Sequence, residues 1–130
     1  MDFILTLHGL IRWLVAIAGI IAIIKFAYGW LSKADYQPID KRIMTLFTTS
    51  LDINLLLGLI LLFGLGGGFP ANRLEHATTM ILAVITAHLS AIWRKSPNSA
   101  VKFRNNLIVV IVALLFVFMG VMRLRGGWMF

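Results

Sequence analysis

Cysteine is absent from this chain of 130 residues, and acidic residues are scarce. The missing thiols exclude disulfides, thiolate-bound zinc, iron–sulfur clusters and covalently attached c-type haem. Only 5 Asp and Glu residues stand against 12 Lys and Arg. Nitrogen or oxygen ligands, or packing alone, must therefore hold any cofactor of this protein.

Apolar residues, in contrast, dominate the sequence. They make up 60% of the chain, and the mean hydropathy is +0.92, whereas soluble domains are about 45–50% apolar. Four runs approach the roughly 20 residues with which a helix crosses a hydrocarbon core. The runs are Phe3–Trp30, Ile43–Leu65, Ala77–Trp93 and Leu107–Met122, and with their polar flanks they give spans at about 3–30, 43–65, 75–94 and 105–123. We predict one all-α domain, an integral membrane four-helix bundle in a lipid bilayer.

The basic residues cluster in two of the connections between the runs. One connection holds Lys33, Lys41 and Arg42, and the other holds four cations, Arg94, Lys95, Lys102 and Arg104. The positive-inside rule places these connections in the cytoplasm and both termini on the outer, periplasmic side of a bacterial inner membrane. The net charge of +7 then reflects topology and not a nucleic-acid partner. The stretch 66–70, three glycines followed by Phe and Pro, is predicted to be the outer turn between spans two and three.

Ionisable residues inside membrane spans are costly and are candidates for function. Here they are His8, Arg12, Lys25, Asp52, His76 and His88. Lys25 is close enough to the inner end of its span to extend its ammonium group to the interface. His8 and His76 lie near the outer ends of spans one and three, so they are either two ligands of one haem iron or ordinary interfacial histidines.

Arg12 lies four residues after His8, on the same face of the first helix. It could pair with a haem propionate, as could Arg73 in the outer connection. Small residues follow each histidine along its helix and permit two interpretations, close helix packing or a slot for a flat macrocycle. His8 is expected several ångströms deeper than His76, which weighs against shared coordination. The two stripes are Val15, Gly19, Ala22 and Phe26, and Thr79, Met80, Ala83, Ala87 and Ser90.

Asp52 lies near the middle of the second span and needs a partner at that depth. His88 is 12 residues after His76, about 18 Å along the helix axis, which brings it to a similar level. His88 or the long side chain of Arg12 can supply the partner. The pair Asp52–His88 would serve as a structural clasp, a step in a proton path or an outer support for a ligand.

Three segments resemble a known family. They are LHGLIRW at residues 7–13, SLDINLLLG at 50–58 and EHATTM at 75–80. In these segments the chain resembles the small four-helix bacterial membrane proteins labelled cytochrome b-like, and the similarity extends over nearly the whole chain. The resemblance implies that His8, Arg12, His76, Asp52 and His88 belong to a shared pattern. It also implies haem b held by His8 and His76.

Three functions follow as hypotheses. The first is a haem b electron-transfer protein or subunit that takes electrons from a membrane quinol. The second is a structural or assembly subunit of a larger respiratory or photosynthetic membrane complex, without its own cofactor. The third is a small oligomeric transporter with Asp52 as its proton-linked carboxylate. No nucleophile motif, glycine-rich phosphate loop or metalloprotease spacing occurs, so we expect no independent catalytic activity.

Overall fold

Four helices account for most of the chain in the computed structural model, which describes residues 2–64 and 71–125. Helix α1 runs over Asp2–Leu31, α2 over Pro38–Gly64, α3 over Ala71–His88 and α4 over Ser99–Arg125, and a 3₁₀ segment, Leu89–Ile92, continues α3. All four helices are long and apolar enough to cross a membrane. The all-α prediction is confirmed, and the multi-pass membrane character is supported. The predicted outer turn at 66–70 lies outside the described residues.

Helices α2 and α4 begin five and six residues earlier than the predicted spans, which start at residues 43 and 105. At the start of α2, Pro38 occupies the first turn, where its missing N–H costs nothing. Asp40 Oδ2 accepts a hydrogen bond from the Gln37 N–H at 2.9 Å. At the start of α4, Asn98 Oδ1 accepts one from the Val101 N–H at 3.2 Å. Capping side chains therefore extend both helices into segments whose composition is polar.

The end of α1 is fixed by backbone geometry. The Ala34 N–H donates to the Gly29 carbonyl at 3.0 Å and the Lys33 N–H to the Trp30 carbonyl at 3.3 Å. Lys33 has a φ of 56°, the left-handed conformation that closes this type of helix end. The chain thus leaves α1 sharply and enters α2 after a short connection.

The helices form a ring in the order α1, α2, α3, α4, so that α1 and α3 lie diagonally opposite each other. Helix α1 packs against α2 and α4, and α3 packs closely against α4 but loosely against α2. The fully buried aromatic side chains of the core belong to Phe26, Phe47 and Phe103. Leucine and isoleucine side chains are exposed around the outside, as expected for a surface that faces lipid.

Polar contacts hold together the end of the bundle that carries segments 32–37 and 93–98, which we call the inner end. The Lys25 ammonium group lies 2.8 Å from Asp40 Oδ1, and Asp40 is fully buried. Lys25 therefore has an ion-pair partner on α2, which the prediction of an ammonium extending to the interface did not include.

A second set of hydrogen bonds joins three elements at the inner end. Trp93 Nε1 donates to Asn106 Oδ1 at 2.7 Å, and Asn106 Nδ2 donates to the Tyr36 hydroxyl at 2.9 Å. Burial first, and then the charge of Asp40, raises the pKa of Tyr36 to about 12. Tyr36 therefore stays protonated over the physiological range, and Asn106 is fully satisfied although it is buried.

Candidate functional site

His8 and His76 meet inside the other end of the bundle, opposite the inner end. We call it the outer end. Their ring centroids are 6.5 Å apart and the ring planes are at 86° to each other. Both side chains line a cavity of about 140 Å³ to which all four helices contribute. The depth offset expected from the sequence does not keep the two rings apart.

A backbone carbonyl fixes the orientation of His76. Its Nδ1 lies 2.8 Å from the Gly120 carbonyl oxygen of α4. Because a carbonyl can only accept, Nδ1 must carry the proton, and in the neutral ring Nε2 then keeps its lone pair. A histidine held in this way by its other nitrogen is typical of metal ligands in proteins.

His8 packs against α2 at Gly58. A Cβ added at Gly58 would lie 3.2 Å from His8 Cε1, so the absence of a side chain here lets the imidazole approach the helix. Asn54, one turn away, lies beside His8 and is 9% exposed. His8 Nδ1 and Asn54 Oδ1 are both buried without a hydrogen bond of normal geometry. Unsatisfied buried polar atoms are rare in native proteins, so these two indicate a place where a ligand could bind.

Asn54 is the site residue that the sequence interpretation missed. A signal was present, because Leu51, Asn54 and Gly58 share one helical face of α2. An amide on a face that is otherwise apolar and small indicates a polar contact inside the bundle. Asp52, two residues away, lies on the opposite face of the same helix.

Arg12 lines the same cavity as His8. Its side chain is only 6% exposed, and its guanidinium carbon lies 5.6 Å from the Trp13 ring centroid. The predicted shared face of His8 and Arg12 is thus confirmed. The side chain of Arg73, the other predicted partner of a propionate, lies outside the described residues.

The small-residue stripes below the histidines contribute to helix packing. Val15, Ala22 and Ala83 are all 0% exposed. At Gly19 the Leu114 side chain of α4 fills the space, so that an added Cβ would lie 2.6 Å from its Cδ1. At Gly19 the stripe thus serves helix packing, whereas Val15 and Met80 of the two stripes line the cavity, and the slot for a macrocycle stays a prediction.

Asp52 and His88 contact each other, as their depth predicted. His88 Nε2 lies 2.8 Å from Asp52 Oδ1 and 3.0 Å from Oδ2. Neither residue is among those that line the cavity, and the two side chains are 45% and 51% exposed. The pair is therefore separate from the cavity that His8 and His76 line, which we call the histidine cavity. It lies on the exposed surface of the bundle.

The donors in the cavity fit a haem iron. Imidazole nitrogens are ligands that haem iron accepts, and the two rings are close enough that both could bind one iron. The volume of the cavity fits haem less well than the donors do. At about 140 Å³ it is close to the roughly 150 Å³ of a cavity that binds benzene, a single ring. A macrocycle would have to displace flexible side chains that line the cavity, such as Met80 and Leu62. Within residues 2–64 and 71–125, no group of three His, Asp or Glu residues is placed to hold a metal ion.

We found no match to this chain among protein-family models, curated proteins or solved structures. No family is therefore assigned, and the resemblance to cytochrome b-like proteins stays a prediction. The functional interpretation depends on the cavity and its residues alone.

Proposed function

We propose that this chain is a membrane electron-transfer protein or subunit that binds haem b between His8 and His76. The observation that carries the proposal is the meeting of the two imidazoles in one cavity, with His76 Nδ1 bonded to the Gly120 carbonyl. When bound, the group would supply one-electron transfer, with a membrane quinol as the expected donor.

The residues of the chain would hold, orient and shield the group. His8 and His76 would provide the nitrogen ligands, and the Gly120 carbonyl would keep the His76 ring in the tautomer that leaves Nε2 free to bind. Arg12 would pair with a propionate. The apolar walls, which include Leu55, Val117 and other aliphatic side chains, would exclude water and so tune the reduction potential.

We also propose a bacterial inner-membrane location with both termini in the periplasm. The two basic connections support this orientation through the positive-inside rule. The histidine cavity would then lie in the periplasmic half of the bilayer. The proposed quinol donor would reach it from within the membrane.

The cavity volume favours a second candidate, direct binding of a quinone head group without haem. A single six-membered ring is close in size to the cavity. One carbonyl oxygen would accept a hydrogen bond from the His8 imidazole and the other from the Asn54 amide N–H, whereas His76 Nε2, which keeps its lone pair, would accept from a hydroxyl of the reduced quinol. The contact with His8 would satisfy its buried Nδ1 in a different way from iron.

The test is an optical spectrum of the full chain purified from membranes of haem-supplemented cells, with one haem expected per chain. His8→Ala and His76→Ala should each abolish the Soret band because each removes one of the two nitrogen ligands that would hold the haem. His88→Ala is the matched control and should retain the band. Circular dichroism confirms that each variant is folded.

Absence of a Soret band after addition of haem, or its persistence when both histidines are replaced, contradicts the haem proposal. Organic extraction of the same samples then tests the second candidate. A quinone present in equal amount with the natural chain, and absent from His8→Ala, supports direct quinone binding. If neither ligand is present, the remaining hypothesis is a cofactor-free subunit of a larger membrane complex.

A further inference from the structure

Asp52 and His88 place a polar pair on the lipid-facing surface of the bundle, with Asp52 near the middle of α2 and His88 near the end of the apolar span Leu74–Ile92. Asp52 is 14 residues from the start of α2 and 12 from its end, or about 21 Å and 18 Å along the axis. Charged and polar groups at this depth almost always face protein or a water-filled cavity and not lipid. A pair that is half exposed at this depth therefore needs a protein surface that shields it from lipid.

The pair also offers hydrogen-bonding capacity that its own protomer does not use. Both oxygens of Asp52 lie near the same nitrogen, His88 Nε2, so each keeps room for a further donor. On the other side of the ring, His88 Nδ1 has no hydrogen-bond partner among the described residues. As an ion pair with the Asp52 carboxylate, His88 carries a proton on both ring nitrogens, so Nε2–H faces Asp52 and Nδ1–H is a second donor. In this form the surface presents an acceptor and a donor side by side.

The surroundings of the pair match those of a helix–helix interface in a membrane. Thr45, Thr49, Asp52 and Leu56 follow one face of α2, all exposed, and Ile85 flanks His88 on α3. Threonine side chains between apolar neighbours are common where membrane helices associate. We call the surface formed by Thr45, Thr49, Asp52, Leu56, Ile85 and His88 the Asp52 face.

We propose that the Asp52 face is the contact surface between two copies of this chain. A surface with a donor beside an acceptor is complementary to itself, because a two-fold axis brings each group opposite the other. Asp52 of each copy would accept from His88 of the partner subunit. The strong charge bias of the loops gives both copies the same orientation, so the axis runs along the membrane normal. This inference is independent of the proposed haem.

The absence of cysteine makes the proposal testable by disulfide crosslinking in native membranes. Thr49→Cys introduces the single thiol on the Asp52 face, and Ile20→Cys is the control on α1. Ile20 is 54% exposed, and both positions are 11 residues from the inner ends of their helices, so their depths match. Mild oxidation should convert most of the Thr49→Cys protein to a covalent dimer and leave the Ile20→Cys protein monomeric.

A second measurement removes the polar pair. The double variant Asp52→Leu with His88→Leu should reduce the dimer fraction in lipid nanodiscs or mild detergent at least tenfold, while the helix content stays unchanged. Equal crosslinking of the two cysteine variants contradicts the proposal, as does a folded double variant that still forms dimers like the natural chain. If the double variant does not fold, the crosslinking result alone decides. The presence or absence of a Soret band does not affect either readout.

Discussion

His8 and Asp52 differ in their surroundings although both are polar residues of membrane spans. His8 lies within the bundle against Gly58, whereas Asp52 lies on its surface beside His88. From the sequence, both belong to the ionisable residues inside membrane spans. Chain position shows how deep a residue lies in its span, but it does not show which face of the helix turns towards the bundle. The side of the helix that a residue occupies decides which groups can reach it.

The contact between Gly58 and His8 gives a prediction at the residue scale. Gly58→Ala should move the His8 ring by a few tenths of an ångström, because the new Cβ would lie 3.2 Å from His8 Cε1. We expect the His8 signal in an NMR spectrum of histidine-labelled protein to shift while the His88 signal does not. If haem is bound, its affinity should fall about tenfold, equivalent to about 1.4 kcal/mol.

Leu56→Ala is the control for this substitution, since Leu56 is 59% exposed on another face of α2. It should leave the His8 signal in place. An unchanged His8 signal in Gly58→Ala would show that the imidazole does not rest against α2.

At the scale of the elements, the prediction succeeded in the number and type of helices and failed at their boundaries. Hydropathy identifies the apolar part of each helix, but capping by Asp40 and Asn98 extends α2 and α4 into polar segments. The 3₁₀ segment after His88 had no counterpart in the hydropathy pattern. Hydrogen bonds at the ends, and not hydrophobicity, decide where a helix stops.

Two glycines with equally close neighbours give opposite predictions for helix packing. A Cβ at Gly29 would lie 2.5 Å from the Phe103 ring, and one at Gly120 would lie 2.5 Å from Met80 Cε. Phe103 is fully buried and cannot move aside, so Gly29→Ala should lower the free energy of unfolding by about 1–3 kcal/mol. Met80 is flexible, so Gly120→Ala should be neutral or gain up to about 1 kcal/mol from helix propensity.

Denaturant unfolding in detergent measures both variants against the natural chain. Similar decreases in the free energy of unfolding for Gly29→Ala and Gly120→Ala would indicate that Met80 is as constrained as Phe103. A stable Gly29→Ala protein would indicate that α1 and α4 are farther apart than the structure places them.

At the scale of the whole molecule, the two ends of the bundle differ in character. Lys25, Asp40, Tyr36 and Asn106 tie the inner end together through buried polar contacts. The outer end instead encloses a cavity with unsatisfied nitrogen and oxygen atoms. Buried polar contacts at the inner end and a cavity at the outer end suit a protein that holds a ligand in one half of the bilayer.

The proposed orientation leads to a labelling prediction. Lys95→Cys lies in an inner connection and Leu74→Cys near the outer end of α3, and both positions are exposed. A membrane-impermeant thiol reagent added to intact bacterial spheroplasts should label Leu74→Cys and not Lys95→Cys. After the membrane is permeabilised, both should react. The reverse pattern would place the histidine cavity in the cytoplasmic half of the membrane.

The sequence by itself determined the four apolar helices, their capacity to cross a membrane and the similar depth of Asp52 and His88. These features depend on composition and on distance along one helix, which the order of residues fixes directly. Only the tertiary structure decided that α1 and α3 face each other diagonally, that Asn54 joins the cavity and that Leu114 of α4 fills the space at Gly19. Each of these outcomes depends on how the helices are rotated and packed against one another. The residues of one helix alone do not specify this arrangement.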